Sequence, residues 1–180
     1  MKKHVLILAL FGWAFCLFAQ DNIIKKQPGY IDFAKYFDLE PEEASTEIEI
    51  TNPLLSFVAK ATENEDEELA GLLKNLQLIR VYEFAITPDE VSNIKNRIEH
   101  LDQKMRNESW ERFAHVRKQD EVTNIYMKVD GQNVAGLTIL SVDEEETVFV
   151  NIVGKINMES IGKLGTKFNI PKLDSLETEN

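Results

Sequence analysis

The sequence predicts an α+β domain with a mainly antiparallel sheet of about six strands, an early β-α-α-β crossover and helices packed on the sheet. Three observations carry that expectation. Apolar residues recur at helical steps of three and four up to residue 107 and at steps of two after residue 110. Strand-like stretches at 46–51 and 78–85 are separated by two helical patterns. The rest of the chain then reads as hairpins, one turning at Asp130-Gly131, a pair that tolerates positive φ. A crossover unit followed by a meander is a layered α+β arrangement.

The first 19 residues read as an export signal. Lys2 and Lys3 form a basic start, Val5 to Phe18 is apolar, and Ala19 followed by Gln20-Asp21 makes a cleavage point. The apolar stretch is shorter than the roughly 20 residues of a membrane-spanning helix. Leu17 stands where a small residue is preferred, so an uncleaved anchor is the competing reading. Cys16 follows Phe15 rather than the small residue of a lipid-attachment site. Cleavage removes the only cysteine, leaving neither a disulfide nor a thiolate. The expectation is an exported protein, periplasmic or extracellular, without stable membrane insertion after cleavage.

Charge narrows the partners. The chain carries 20 basic and 31 acidic residues, and losing Lys2 and Lys3 leaves 18 against 31, a net charge of −13. Nucleic acid and anionic membrane faces both demand Lys/Arg patches, and nucleic acid is excluded as a partner. The length suits one core. The expected organisation is a signal at 1–19, a lead-in with a short helix at 20–45, one α+β domain at 46–170 and an acidic tail at 171–180.

Within the lead-in, 21–30 is polar with a Pro28-Gly29 turn and reads as loose, and 30–37 as a short helix with an aromatic face. Thr46 to Thr51 alternates β-branched and charged residues. Asn52-Pro53 starts a helix with proline at its first position, and Leu54, Leu55, Phe57, Val58 and Ala61 are its expected buried face. A second helix over 65–75 opens with Asp66-Glu67-Glu68, where negative charge complements the helix dipole. Thr87-Pro88-Asp89-Glu90 is a capping box, after which Val91, Ile94, Ile98, Leu101 and Met105 form one apolar stripe. Strands are expected at 111–117, 124–129, 134–142 and 147–153. The last two are apolar on both faces, which calls for cover on both sides, from helices or a second copy of the chain. Asn157 caps a final helix with Ile161, Leu164 and Phe168 inward, ending at Asn169-Ile170-Pro171.

The segment order resembles a family of Bacteroidetes envelope proteins known as domain of unknown function 4252. The resemblance is carried by Leu78-Ile79-Arg80-Val81-Tyr82-Glu83-Phe84, by 148–156 (VFVNIVGKI), by the stretch from Ser160 to Phe168, and by the signal ending Leu17-Phe18-Ala19-Gln20. These are packing and turn residues. The resemblance implies an exported α+β domain with no assigned chemistry, and members lying near extracytoplasmic-function sigma factors imply a link to envelope signalling.

No residue set is assigned to catalysis, to a cofactor or to a metal. Asp143-Glu144-Glu145-Glu146 lacks the spacing and turn glycine of a calcium loop, and a solvated hairpin tip accounts for it better. Glu63 to Glu68 serves a helix start. His100 and His115, the mature histidines, have no local triad or metal spacing. Ser56 and Ser109 lack a nucleophile elbow. Gly162 and Gly165 do not follow a strand as a phosphate loop requires, and Gly154 fits a bulge or bend. Asp174-Ser175-Leu176 matches a short glycosylation tripeptide of weak specificity. Tyr30, Phe33, Tyr36 and Phe37 form the candidate interaction surface, with cover for the sheet as the plainer role. The leading functional expectation is a non-enzymatic envelope module binding a protein or small ligand. The alternatives are a carboxylate-dependent hydrolase or isomerase whose site assembles only in the fold, and an orphan domain held as a homodimer.

Overall fold

The computed structural model of the chain describes residues 23–157 apart from 38, 119, 120 and 132, with the side chains of Lys35, Phe37 and Glu99 left out. The expected signal, the helix expected after Asn157, the tail and Asp174-Ser175-Leu176 lie outside the described residues. A single turn α1 (Ala34–Phe37) and a 3-10 turn (Pro41–Glu43) precede the sheet. Strand β1 (Thr46–Thr51) runs into helices α2 (Asn52–Thr62) and α3 (Glu67–Asn75), then β2 (Leu76–Ala85) and α4 (Pro88–Asn107). Four strands follow: β3 (Trp110–Arg117), β4 (Val122–Asp130), β5 (Asn133–Val142) and β6 (Glu146–Ile156). They form one six-stranded sheet in the order β1-β2-β6-β5-β4-β3, and every neighbouring pair is antiparallel. The fold class and its β-α-α-β opening are those the sequence predicts.

Local chemistry sets the element ends. At α4 the Thr87 N–H and hydroxyl donate to the Glu90 carboxylate at 2.8 and 2.7 Å, closing the capping box. At α3 the Asp66 carboxylate accepts from the Leu69 N–H at 2.9 Å. After α4 the chain turns through Ser109, at φ 60° the non-glycine residue in the left-handed region. Gly154, at φ 148°, faces the register shift between Leu76 and Leu78, so the expected bulge is real.

The sheet separates two cores. On one face α4 lays Ile94, Ile98, Leu101 and Met105 over Tyr82, Phe84, Trp110, Tyr126, Leu140 and Phe149. On the other face Leu55 of α2 and Leu72 of α3 pack with Leu76, Ile125, Met127, Leu137 and Ile156. Here the structure corrects the sequence reading. Of α2, only Leu55 and Ala59 are buried, and Leu54, Phe57, Val58 and Ala61 are exposed. The helix rests on the Leu55–Ala59 edge, and the small Ala59 lets it sit close, so its other apolar side turns outward.

The lead-in is also not loose. Ile24 joins Leu78 and Val153, and Ile31, Phe33 and Tyr36 enter the α4-side core. Gly29 lies against Gly136 of β5 so closely that a Cβ on Gly29 would fall 1.9 Å from the Ala135 carbonyl oxygen. Asn151, fully buried on β6, ties the segment down: its amide donates to Gly29 O at 3.0 Å and its oxygen accepts from Ile31 N–H at 3.2 Å. The same amide reaches Leu137 O and Thr138 Oγ1 at 3.3 and 3.2 Å.

Candidate functional site

Docking the lead-in beside β1 and β2 encloses a cavity of about 380 Å³. Strand alternation supplies its floor. Glu47 and Glu49 of β1 pair in register with Tyr82 and Arg80 of β2, so all four side chains share one face. Tyr30, Asp32 and Phe33 form the wall above, with Glu42 and Lys25 at the rim.

Arg80 is the central group. Its side chain is only 11% exposed and pairs with the Glu49 carboxylate through both Nε, at 2.9 Å, and Nη2. Nη1 donates to the Tyr30 hydroxyl at 3.0 Å. Its Cζ stands 5.5 Å from the Tyr30 ring centre and 5.9 Å from that of Tyr82, within cation–π range. Burial works to discharge this guanidinium, but Glu49 and the two tyrosines reverse that and hold it above the usual arginine range. Burial likewise pushes the Tyr82 hydroxyl up to about 12; Arg80 opposes this and Glu47 adds to it. Arg80 is therefore a permanent charge already matched by Glu49. The remaining charged groups lining the cavity are Asp32, Glu42 and Glu47 against Lys25. The surplus is acidic, with aromatic walls, and such a cavity holds a cation by carboxylate contact and ring-face attraction.

The sequence-selected aromatics divide. Phe33 and Tyr36 are buried in the α4-side core, and Tyr30 is half-buried in the cavity wall; the Phe37 side chain is outside the described set. Phe33 packs on Phe149 with ring centres 4.8 Å apart, so its main work is to cover the sheet. Arg80, Tyr82, Glu47 and Glu49 were not singled out from the sequence. Their signal was present as a strand in which Arg80 interrupts an apolar run, but the partner strand that makes it a site is known only from the register.

The other candidates settle into structural settings. The Asp143 carboxylate accepts from the N–H groups of Glu145 and Glu146 at 2.8 and 2.9 Å, turning the β5–β6 hairpin. His100 lines a small cavity on α4 beside Tyr36, and His115 lines a different one on β3. Ser56 donates to Asn52 Oδ1 at 3.2 Å. Among the described residues, no group of three or more His, Cys, Asp or Glu is placed to hold a metal ion, and no helix is long and apolar enough to cross a membrane.

Comparison with known proteins places this fold and cavity in a class without an assigned activity. The family model described as Domain of unknown function (DUF4252) matches residues 39–164, and the chain belongs to that family. No curated protein and no solved structure matches it. The family match covers the sheet, α2, α3, α4, Glu47, Glu49, Arg80 and Tyr82, but starts after Tyr30, Asp32 and Phe33.

Proposed function

We propose that this protein is an exported, non-enzymatic binding module of the cell envelope that receives a cationic group, an amine or guanidinium, in the cavity between the lead-in and β1–β2. Export is supported by the basic and apolar start of the chain, and a role in envelope signalling follows from the family resemblance alone. The binding reading rests on one observation: Arg80 is neutralised by Glu49, which leaves Asp32, Glu42 and Glu47 facing an aromatic-walled cavity with only Lys25 against them. The alternative carboxylate chemistry would use Glu47 and Glu49, and the ion pair to Arg80 withholds Glu49 from that use.

The cation is either a free small molecule or a Lys or Arg side chain of a partner protein, and two arms of one experiment separate these sources. Amide chemical shifts are followed while N-acetyl-arginine amide, spermidine and, as a control, acetate are titrated into the purified protein. Saturable shifts confined to Tyr30, Glu47, Glu49 and Tyr82 with the cations support the reading, and Glu47→Gln with Asp32→Asn weakens them about tenfold or more. In parallel, the tagged protein is crosslinked in its native envelope. A stoichiometric partner whose basic residues crosslink to the cavity rim assigns the source to a protein. Shifts produced by acetate and not by the cations overturn the proposal.

A further inference from the structure

The charge of the chain is not spread evenly. Residues 88–128 carry eight Lys/Arg and eight Asp/Glu, whereas 21–87 carry six against fourteen. Within that neutral part, a second cavity of about 270 Å³ lies where α4 crosses β3 and β4. Lys95, Arg112, Arg117 and Lys118 line it together with His115, and no described acidic side chain does. Strict alternation would send Arg112 and His115 to opposite faces of β3. The register shift between Arg112 and Ala114 restores them to one face, opposite Tyr126 and Asn124 of β4. Asn124, itself buried, fixes the His115 ring through an Nδ1···Oδ1 contact of 2.6 Å. Ile98 and Val122 give the cavity an apolar floor. Two of the cations are already engaged by acids outside the lining, Arg112 by Asp102 at 2.6 Å and Lys118 by Glu121 at 3.1 Å. Such pairing orients the cationic groups without removing their field from the cavity.

We infer that this cavity is a second binding site, for a small phosphate monoester whose apolar body lies on Ile98 and Val122 and whose dianion is held by Arg117, Lys95 and the bulge-aligned row Arg112 and His115. Doubly charged oxyanions suit several converging N–H donors, and guanidinium groups match them in the plane. The volume sits below the range usual for drug-sized ligands and suits a compact molecule. This site and the cation cavity share no lining residue, so each stands or falls alone.

The test is a titration of the purified protein with phenyl phosphate, inorganic phosphate and benzoate, read by amide chemical shifts and repeated in Lys95→Glu/Arg117→Glu. Both substituted groups are at the surface of the cavity, and the melting temperature of the variant reports that it remains folded. The expected result is saturable shifts at Arg117, Val122 and Asn124 with phenyl phosphate, weaker binding of the two fragments, a loss of about tenfold or more in the variant, and weakening by added salt. Absence of saturation, an unchanged affinity in the folded variant, or equal binding of inorganic phosphate overturns the proposal, the last because it removes the apolar half of the site.

Discussion

The two faces of the sheet are built from equally apolar strands, yet they are finished differently. On the α4 side, one helix of 20 residues and the docked lead-in seal an aromatic core, and Trp110, Tyr126, Phe149 and Met105 are essentially inaccessible. On the α2–α3 side, two short helices bury Leu55 and Leu72, while Val81, Ile139, Val148 and Val150 remain half-buried and Ile48 is exposed. Helix length and an added segment, rather than strand hydrophobicity, decide how completely a face is closed. A helix of 20 residues reaches about 30 Å and crosses the sheet, while one of nine reaches about 14 Å.

The sharpest way to break this contrast is to charge each side in turn. Ile98→Asp puts an unpaired carboxylate under α4 and is expected to cost more than about 4 kcal/mol, abolishing the cooperative melting transition. A nearly unchanged transition would show that the α4 side is open. Asn151→Ala comes next, because it strands the Gly29 carbonyl and the Ile31 N–H. A loss of about 2–4 kcal/mol by chemical denaturation is expected, with faster hydrogen exchange at Ile31.

Alkaline pH acts on the sealed side as well. Burial raises the hydroxyls of Tyr36, Tyr82 and Tyr126, Tyr82 to about 12, with Glu108 adding to the effect at Tyr36 and Asp102 at Tyr126. An unfolded tyrosine ionises near pH 10, so the folded state keeps protons that the unfolded state releases. Stability is therefore full below about pH 10 and falls as pH rises through 12, which denaturation at stepped pH with tyrosinate absorbance will follow. Ser109→Gly, relieving a left-handed serine at the end of α4, should add about 0.5–1 kcal/mol. The smallest effect belongs to the open side: Phe57→Ser, at a position 70% exposed, should move stability by no more than about 0.5 kcal/mol. A large loss there would mean that α2 is covered.

The sequence made most elements legible, and the reason is local. The Thr87–Glu90 capping box, the α4 stripe, the Asp130-Gly131 turn and the bulge at Gly154 are each written within a few residues of where they act. Strand order was not legible, since β6 pairs with β2 on one side and β5 on the other, across a long separation. The face of α2 was misread for the same reason: its residues are apolar nearly all round, and only the position of α3 and the sheet chooses Leu55 and Ala59. The cation cavity needed the β1–β2 register, and the basic cavity needed a bulge that no residue of β3 announces.

The clasp at Asn151 sets an order of events. Gly29 and Ile31 meet partners 122 and 120 residues further along the chain. During synthesis or passage across a membrane, the N-terminal part of the domain arrives first and must wait for almost all the rest. Closing that long loop is entropically slow, which makes docking of the lead-in a late step of folding. The cation cavity exists only once that step is complete, so binding competence and the finished fold arrive together.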